Sequence, residues 1–184
     1  TTANQEQFGL GGGLVCAATD LNILNCVINQ NRSGGSGGGV YFAGQPSSLL
    51  KNCLITRNES GRDGAGVSCE LQTEPNISNC TIANNTANGI GYQTTYGGGL
   101  SVADYSSVNV KDSIIWDNQA INGSQIAVTS LNPNMPSYLT VSYSNVLGGE
   151  AGVLKDISST LVWDANTNLT GGANYSPLGS NPAF

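Results

Sequence analysis

A seven-residue phrase, Asn-Cys-x-Ile-x-x-Asn, recurs along the chain and constrains the fold more than any other feature. Its three clear copies begin at Asn25, Asn52 and Asn79, so they are spaced 27 residues apart. A fourth copy begins at Asp112 with serine in place of cysteine, and a degenerate fifth copy follows at Ser144. A fixed spacing of about 20 to 50 residues is typical of solenoids and other repeat folds.

A second phrase, a glycine run followed by alternating apolar residues, precedes each copy. It occupies residues 11–16, 37–42, 64–69 and 97–102, with a plausible fifth version at 124–128. The alternation predicts a strand with one buried face, and the glycines supply backbone freedom at the corner before it. The predicted inward-facing pairs are Leu14 and Cys16, Val40 and Phe42, Val67 and Cys69, Leu100 and Val102, and Ile126 and Val128.

Each Asn-Cys phrase predicts a further strand that is entered through a corner, because Asn and Asp tolerate left-handed backbone. Its alternate residues point inward and form the predicted structural core column: Cys26, Cys53, Cys80, Ser113, Ile28, Ile55, Ile82 and Ile115. A shorter alternating segment lies between the two phrases. Three short strands in each repeat of about 27 residues predict an all-β fold, a parallel β-helix of about five to six turns.

The predicted domain organisation is one solenoid followed by a short tail. We expect residues 1–165 to form the β-helix, because the repeated phrases fade only after Gly149. We expect residues 166–184 to form an extended C-terminal tail, rich in Gly, Pro and Asn, that packs on the helix or on a neighbouring subunit.

The two phrases resemble the G-G-A-[ILV] and F-x-x-N repeats of bacterial polymorphic outer-membrane proteins. More broadly, they resemble the right-handed parallel β-helix repeats of the pectin-lyase-like superfamily, over roughly residues 9–149. The segments 143–149 and 181–184 are similar to the ends of such regions in large secreted proteins, with Asn181 where those have Asp. The resemblance implies a right-handed helix. It does not imply one function, since the superfamily includes lyases, hydrolases, adhesins and passive spacers.

Composition excludes several classes of protein. The net charge is −6, no histidine is present, and only 10% of residues are charged. No basic cluster occurs, so we expect no nucleic-acid partner. No apolar run approaches the roughly 20 residues that a transmembrane helix needs, so we expect no membrane-spanning segment. A weakly charged chain rich in Asn, Ser and Thr suits an extracellular or cell-surface location.

The five cysteines cannot all pair with one another, and the repeat accounts for three of them. We interpret Cys26, Cys53 and Cys80 as a stacked column of buried thiols that act as small hydrophobic residues. Parallel side-chain directions oppose a disulfide between neighbouring turns. A linear column without histidine does not converge on a metal ion, so we expect no metal and no cofactor.

The sequence gives no catalytic residue. The resemblance places enzyme sites on the outer face of the first sheet, where the outward residues here are Val15, Tyr41, Ser68, Ser101 and Ala127. None of these is acidic or basic. Glu70, Glu74 and Asp104 follow the first strands and could cluster with Arg62 or Lys51, but we expect them to be solvated loop charges. The pattern favours a protein without enzymatic activity and leaves that question open.

Two outward features are candidates for contacts. The third strands predict an apolar stripe that forms a candidate contact surface, unless the 85–97 loop or the tail covers it: Val27, Leu54, Ile114, Trp116 and Leu147. Among many N-x-[ST] sites, Asn31 and Asn58 are the best candidates for glycosylation, because they are expected to begin exposed corners.

Two functional hypotheses follow. The first is a non-enzymatic extracellular structural or adhesive protein that self-associates, stacking end to end into a surface fibre or layer. Its basis is that the end turns of a solenoid expose unpaired strand edges. The alternative is a polysaccharide-binding or polysaccharide-degrading β-helix, with carbohydrate as partner and aromatic residues that stack on sugars: Tyr41, Tyr92, Tyr96, Tyr105 and Trp116.

Overall fold

The computed structural model describes residues 9–44, 47–89, 94–130 and 132–171. These residues form short strands separated by tight corners. In chain order the strands are β1 (Leu14–Ala17), β2 (Asn22–Leu24), β3 (Val27–Asn29), β4 (Arg32–Ser33), β5 (Val40–Ala43), β6 (Leu49–Lys51), β7 (Leu54–Thr56), β8 (Glu59–Ser60), β9 (Val67–Glu70), β10 (Asn76–Ser78), β11 (Thr81–Ala83), β12 (Thr86–Ala87), β13 (Leu100–Val102), β14 (Ser107–Lys111), β15 (Ile114–Trp116), β16 (Ile126–Val128), β17 (Tyr138–Ser142), β18 (Asn145–Leu147), β19 (Val153–Lys155), β20 (Thr160–Trp163) and β21 (Leu169–Gly171). One 3-10 helix, Gly149–Gly152, lies between β18 and β19.

The strands stack into three six-stranded parallel sheets, each with one strand from every turn. The first sheet has the order β1-β5-β9-β13-β16-β19, the second β2-β6-β10-β14-β17-β20, and the third β21-β18-β15-β11-β7-β3. A minor sheet of β12, β8 and β4 adds a fourth side to the first three turns. Because equivalent residues of the repeats are paired, the predicted parallel β-helix with three principal strands in each turn is confirmed.

The solenoid runs slightly past the predicted boundary at residue 165. Strand β21 (Leu169–Gly171) pairs in register with β18 and completes the last turn. The rest of the expected C-terminal tail, residues 172–184, lies outside the described residues, so its packing stays a prediction.

The core is a column of inward-facing side chains inside the stack. The largest fully buried residues include Phe42, Leu50, Ile55, Ile82 and Ile115. The inward pairs of the first sheet are buried as predicted, with one exception. Leu14 retains 37% exposure, because it lies in the first described turn and only one neighbouring turn covers it.

The corners before the third strands adopt left-handed backbone, as the sequence predicts. The φ angles are 55° at Asn25, 55° at Asn52, 51° at Asn79 and 50° at Asp112. In the degenerate fifth copy this position is Tyr143, with φ of 50°. Asn and Asp accept this conformation by local hydrogen bonding, whereas tyrosine adopts it against its intrinsic preference.

The last asparagine of each phrase forms a buried amide ladder. Nδ2 of Asn31 donates to Oδ1 of Asn58 at 3.0 Å, Nδ2 of Asn58 to Oδ1 of Asn85 at 2.9 Å, and Nδ2 of Asn85 to Oδ1 of Asn118 at 2.9 Å. The expectation that Asn58 begins an exposed corner is wrong, since the residue is 0% exposed. Asn31 is half-buried at the end of the ladder. A glycan on Asn58 is incompatible with this packing.

The glycine runs and the ladder meet in space. A Cβ at Gly39 would lie 3.0 Å from Nδ2 of Asn58 and 2.6 Å from the carbonyl oxygen of Gly66. Because the last glycine of each run has no side chain, the asparagine side chain of the same turn can pack against its backbone. In the fifth turn Gln125 replaces this glycine, and its Oε1 accepts from Nδ2 of Asn118 at 3.0 Å. Gln125 thus ends the ladder in the turn whose phrase has no final asparagine.

Candidate functional site

The thiol column is a structural feature in this fold. Cys53 and Cys80 are buried, while Cys26, in the first described turn, is half-buried. The thiol of Cys53 donates to the carbonyl oxygen of Lys51 at 3.2 Å, and Ser113 repeats this contact with Lys111 at 2.7 Å. Burial raises the pKa of the Cys80 thiol to about 11. The thiolate, which is the form that binds metals and attacks electrophiles, is therefore disfavoured.

The two remaining cysteines also stay as thiols. Cys16 and Cys69 are buried on the first sheet, and Phe42 lies between them in the register. All five cysteines are free. Burial raises the pKa of both Cys16 and Cys69.

The outer face of the first sheet is covered over most of its length. Tyr41, Ser68, Ser101 and Ala127 are at most 4% exposed, and only Val15 is open to solvent. The corner before each strand folds against this face: a Cβ at Gly37 would lie 2.7 Å from the Cβ of Tyr41. Buried polar groups here must find partners within the protein.

Glu70 is one such buried group and is not the solvated loop charge that we expected. It is 9% exposed; its Oε2 accepts from the Tyr41 hydroxyl at 3.1 Å and its Oε1 from the Ser68 hydroxyl at 3.0 Å. Burial, together with the Glu70 charge, raises the pKa of Tyr41 well above its ordinary range. The tyrosine therefore stays protonated and acts as a hydrogen-bond donor. Glu74 is exposed, as expected for a loop charge, and Lys51 is exposed at the end of β6.

Two further carboxylates lie near Glu70. Asp63 is 8% exposed, accepts from the backbone N–H of Tyr96 at 2.8 Å and lies 3.2 Å from Nε of Arg62. Burial raises the pKa of Asp63 to about 6 in spite of these partners. Burial and the charge of Glu70 also raise the pKa of Asp104. In the described parts of the chain, no three acidic or cysteine side chains are arranged to hold a metal ion.

The predicted apolar stripe on the third sheet is in register. Val27 pairs with Leu54, Leu54 with Thr81, and Thr81 with Ile114. Val27 is 67% exposed, whereas Leu54, Ile114, Trp116 and Leu147 are half-buried. Its role as a contact surface stays a prediction.

A groove that the sequence did not predict lies at the corner between the first and second sheets. Its volume is about 470 Å³, and its lining comprises Gly44, Leu71, Gln72, Asp104, Ser130, Asn132 and Met135. Leu71 and Gln72 are both left-handed, with φ of 60° and 65°, and so is Asp104, with φ of 52°. Leu71 and Gln72 are not turn signals in the sequence, because Leu and Gln rarely adopt this conformation. The groove was therefore accessible only from the structure.

These features define the class: a parallel β-solenoid with an internal amide ladder, a thiol column and a groove at one corner. Residues 2–135 match the family model described as a right handed beta helix region. The chain belongs to this right-handed β-helix family. Neither the curated proteins nor the solved structures gave a match to the sequence. Among the described residues, no helix is long and apolar enough to cross a membrane.

Proposed function

We propose that this β-helix is a non-enzymatic extracellular structural or adhesive protein whose copies dock end to end into a fibre or layer. The observation that carries the proposal is the concentration of exposed apolar side chains in the first and last described turns: Leu10, Leu14, Val15, Leu21, Leu24 and Val27 at one end, and Leu154, Ile157, Val162 and Leu169 at the other. Exposed apolar residues that lie together are typical of interaction surfaces.

Strand edges support the same proposal. Among the described residues, β1, β2 and β3 have one neighbouring strand each, and so have β19, β20 and β21. Such edges present backbone donors and acceptors to another strand. The amide ladder adds a hydrogen-bond acceptor at the first turn, the side-chain oxygen of Asn31. Oδ1 of Asn31 receives no hydrogen bond from the described residues, whereas Oδ1 of Asn58 receives two.

The two ends are different surfaces, so their contact would be heterologous. A heterologous contact that does not close into a ring propagates as a filament. The buried state of Tyr41, Ser68 and Glu70 supports the non-enzymatic part of the proposal, because these groups bond to one another and not to solvent.

The test is a concentration series of the purified chain by analytical ultracentrifugation, with negative-stain electron microscopy of the largest species. We expect filaments or sheets with a repeat near the length of one subunit. Val27→Lys places a charge on the exposed first turn and should shift the distribution towards monomers. Ile121→Lys is the matched control, because Ile121 is 61% exposed but lies away from both end turns. Wild-type protein that stays monomeric at high concentration would contradict the proposal.

A further inference from the structure

The lining of the groove between the first and second sheets includes two apolar side chains. Both Leu71, 55% exposed, and Met135, 36% exposed, line it. Leu71 combines an exposed apolar side chain with a left-handed backbone, with φ of 60°. The left-handed backbone belongs to a corner that successive turns share, since Ala18, Gly44 and Asp104 have positive φ at the same register position. The exposed apolar side chain is therefore the feature of Leu71 that the stacking of the turns does not explain.

The loop that carries Met135 is held in place before any partner binds. Oγ of Ser130 lies 2.6 Å from the carbonyl oxygen of Asn132 and 2.7 Å from that of Met135. The backbone N–H of Ser130 donates to Oδ2 of Asp156 in the last turn. A preorganised wall loses less conformational entropy on binding.

The polar side of the groove is negatively charged. Asp104 lines the groove. Its charge interacts electrostatically with those of Glu70 and Asp63, which lie nearby. The nearby cation, Arg62, lies against Asp63 at 3.2 Å. Three carboxylates and one guanidinium leave this region with an excess of negative charge at neutral pH.

We propose that this groove binds an arginine or lysine side chain presented by a partner protein. Leu71 and Met135 contact the aliphatic stem of that side chain, and the Asp104 carboxylate accepts hydrogen bonds from its charged head. The volume of about 470 Å³ is enough for one long side chain with its flanking backbone. Sugars are recognised chiefly by aromatic platforms, whereas the described residues that line the groove are aliphatic or polar, which favours a basic peptide over a polysaccharide.

The test is an NMR titration of isotope-labelled protein with the probe acetyl-Gly-Arg-Gly-amide. Its control is the peptide with citrulline, which keeps the stem but has no charge. We expect the arginine peptide to shift the amide resonances of Leu71, Gln72 and Asp104, and to bind about tenfold more tightly than the citrulline peptide. Asp104→Asn should remove this tenfold preference.

Asp117→Asn is the matched control variant, because Asp117 is exposed and has the same φ of 52° as Asp104. This variant should retain the full preference for arginine. Three outcomes would overturn the proposal: no shifts at the groove, equal binding of the two peptides, or an unchanged preference in Asp104→Asn. Oligosaccharides that shift the groove resonances when the arginine peptide does not would assign the groove to carbohydrate instead.

Discussion

Replacing Asn85 by alanine removes the central rung of the amide ladder. Oδ1 of Asn85 accepts from both the backbone N–H and Nδ2 of Asn58, each at 2.9 Å. Its Nδ2 donates to Asn118, Ile55 and Ala83 at 2.9, 3.0 and 3.1 Å. Asn85 is 0% exposed, so these groups have no contact with bulk solvent.

The expected loss can be worked out from the groups that lose their partners. In Asn85→Ala, the backbone N–H and one Nδ2 hydrogen of Asn58 both lose their acceptor inside the protein. A buried donor without an acceptor costs about 1–3 kcal/mol. Two such donors and the small cavity together predict a loss of about 4 kcal/mol. This is a large fraction of the roughly 5–15 kcal/mol that stabilises a typical domain.

The assay is denaturation in guanidinium chloride followed by circular dichroism. Asn76→Ala is the control, because Asn76 lies in the same turn but is exposed, and its Oδ1 accepts only a 3.3 Å bond from Asn109. We expect this control to lose less than about 0.5 kcal/mol. Asn85→Leu tests the reasoning most directly, since leucine fills the volume without hydrogen bonding. If Asn85→Leu were as stable as wild type, the argument from unpaired donors would be refuted.

Two predictions concern titration and thiol access. Burial raises the pKa of Asp63 to about 6 from an ordinary value of 3.8. Its contribution to stability is therefore complete below about pH 4 and is lost as the pH rises through 6. Asp63→Asn should flatten the pH profile of the unfolding free energy across this window by up to about 3 kcal/mol; parallel profiles would contradict the role of burial. In thiol labelling of the native protein, half-buried Cys26 should react first, and the four buried cysteines only on unfolding. Equal rates for all five would contradict the buried column.

The fold was largely predictable from the sequence because its signals are local. The 27-residue spacing predicted the stacking, alternation predicted which residues face inward, and Asn25, Asn52 and Asn79 predicted the left-handed corners. Each of these signals depends on backbone preference or on the two-residue period of a strand. The degenerate copy at Ser144 also occupies its predicted place, since Ser144 is buried and donates to the carbonyl oxygen of Ser142.

The candidate sites were much less predictable, because solvent exposure depends on neighbouring turns. Asn58 looks like a corner residue in sequence, yet it is buried between Asn31 and Asn85 of the adjacent turns. Glu70 looks like a loop charge, yet Tyr41 reaches it from the turn before.

By itself the sequence determined the period, the strands, the inward columns and the corners, since these follow from preferences within a few residues. Only the tertiary structure decided which polar groups the stack encloses, because residues far apart in the chain become partners across adjacent turns. Gln125 illustrates this division. Its substitution for a repeated glycine has no evident reason in sequence, and the structure shows that it completes the amide ladder at Asn118. The groove formed by Leu71, Asp104 and Met135 has the same origin, since three separate corners converge there.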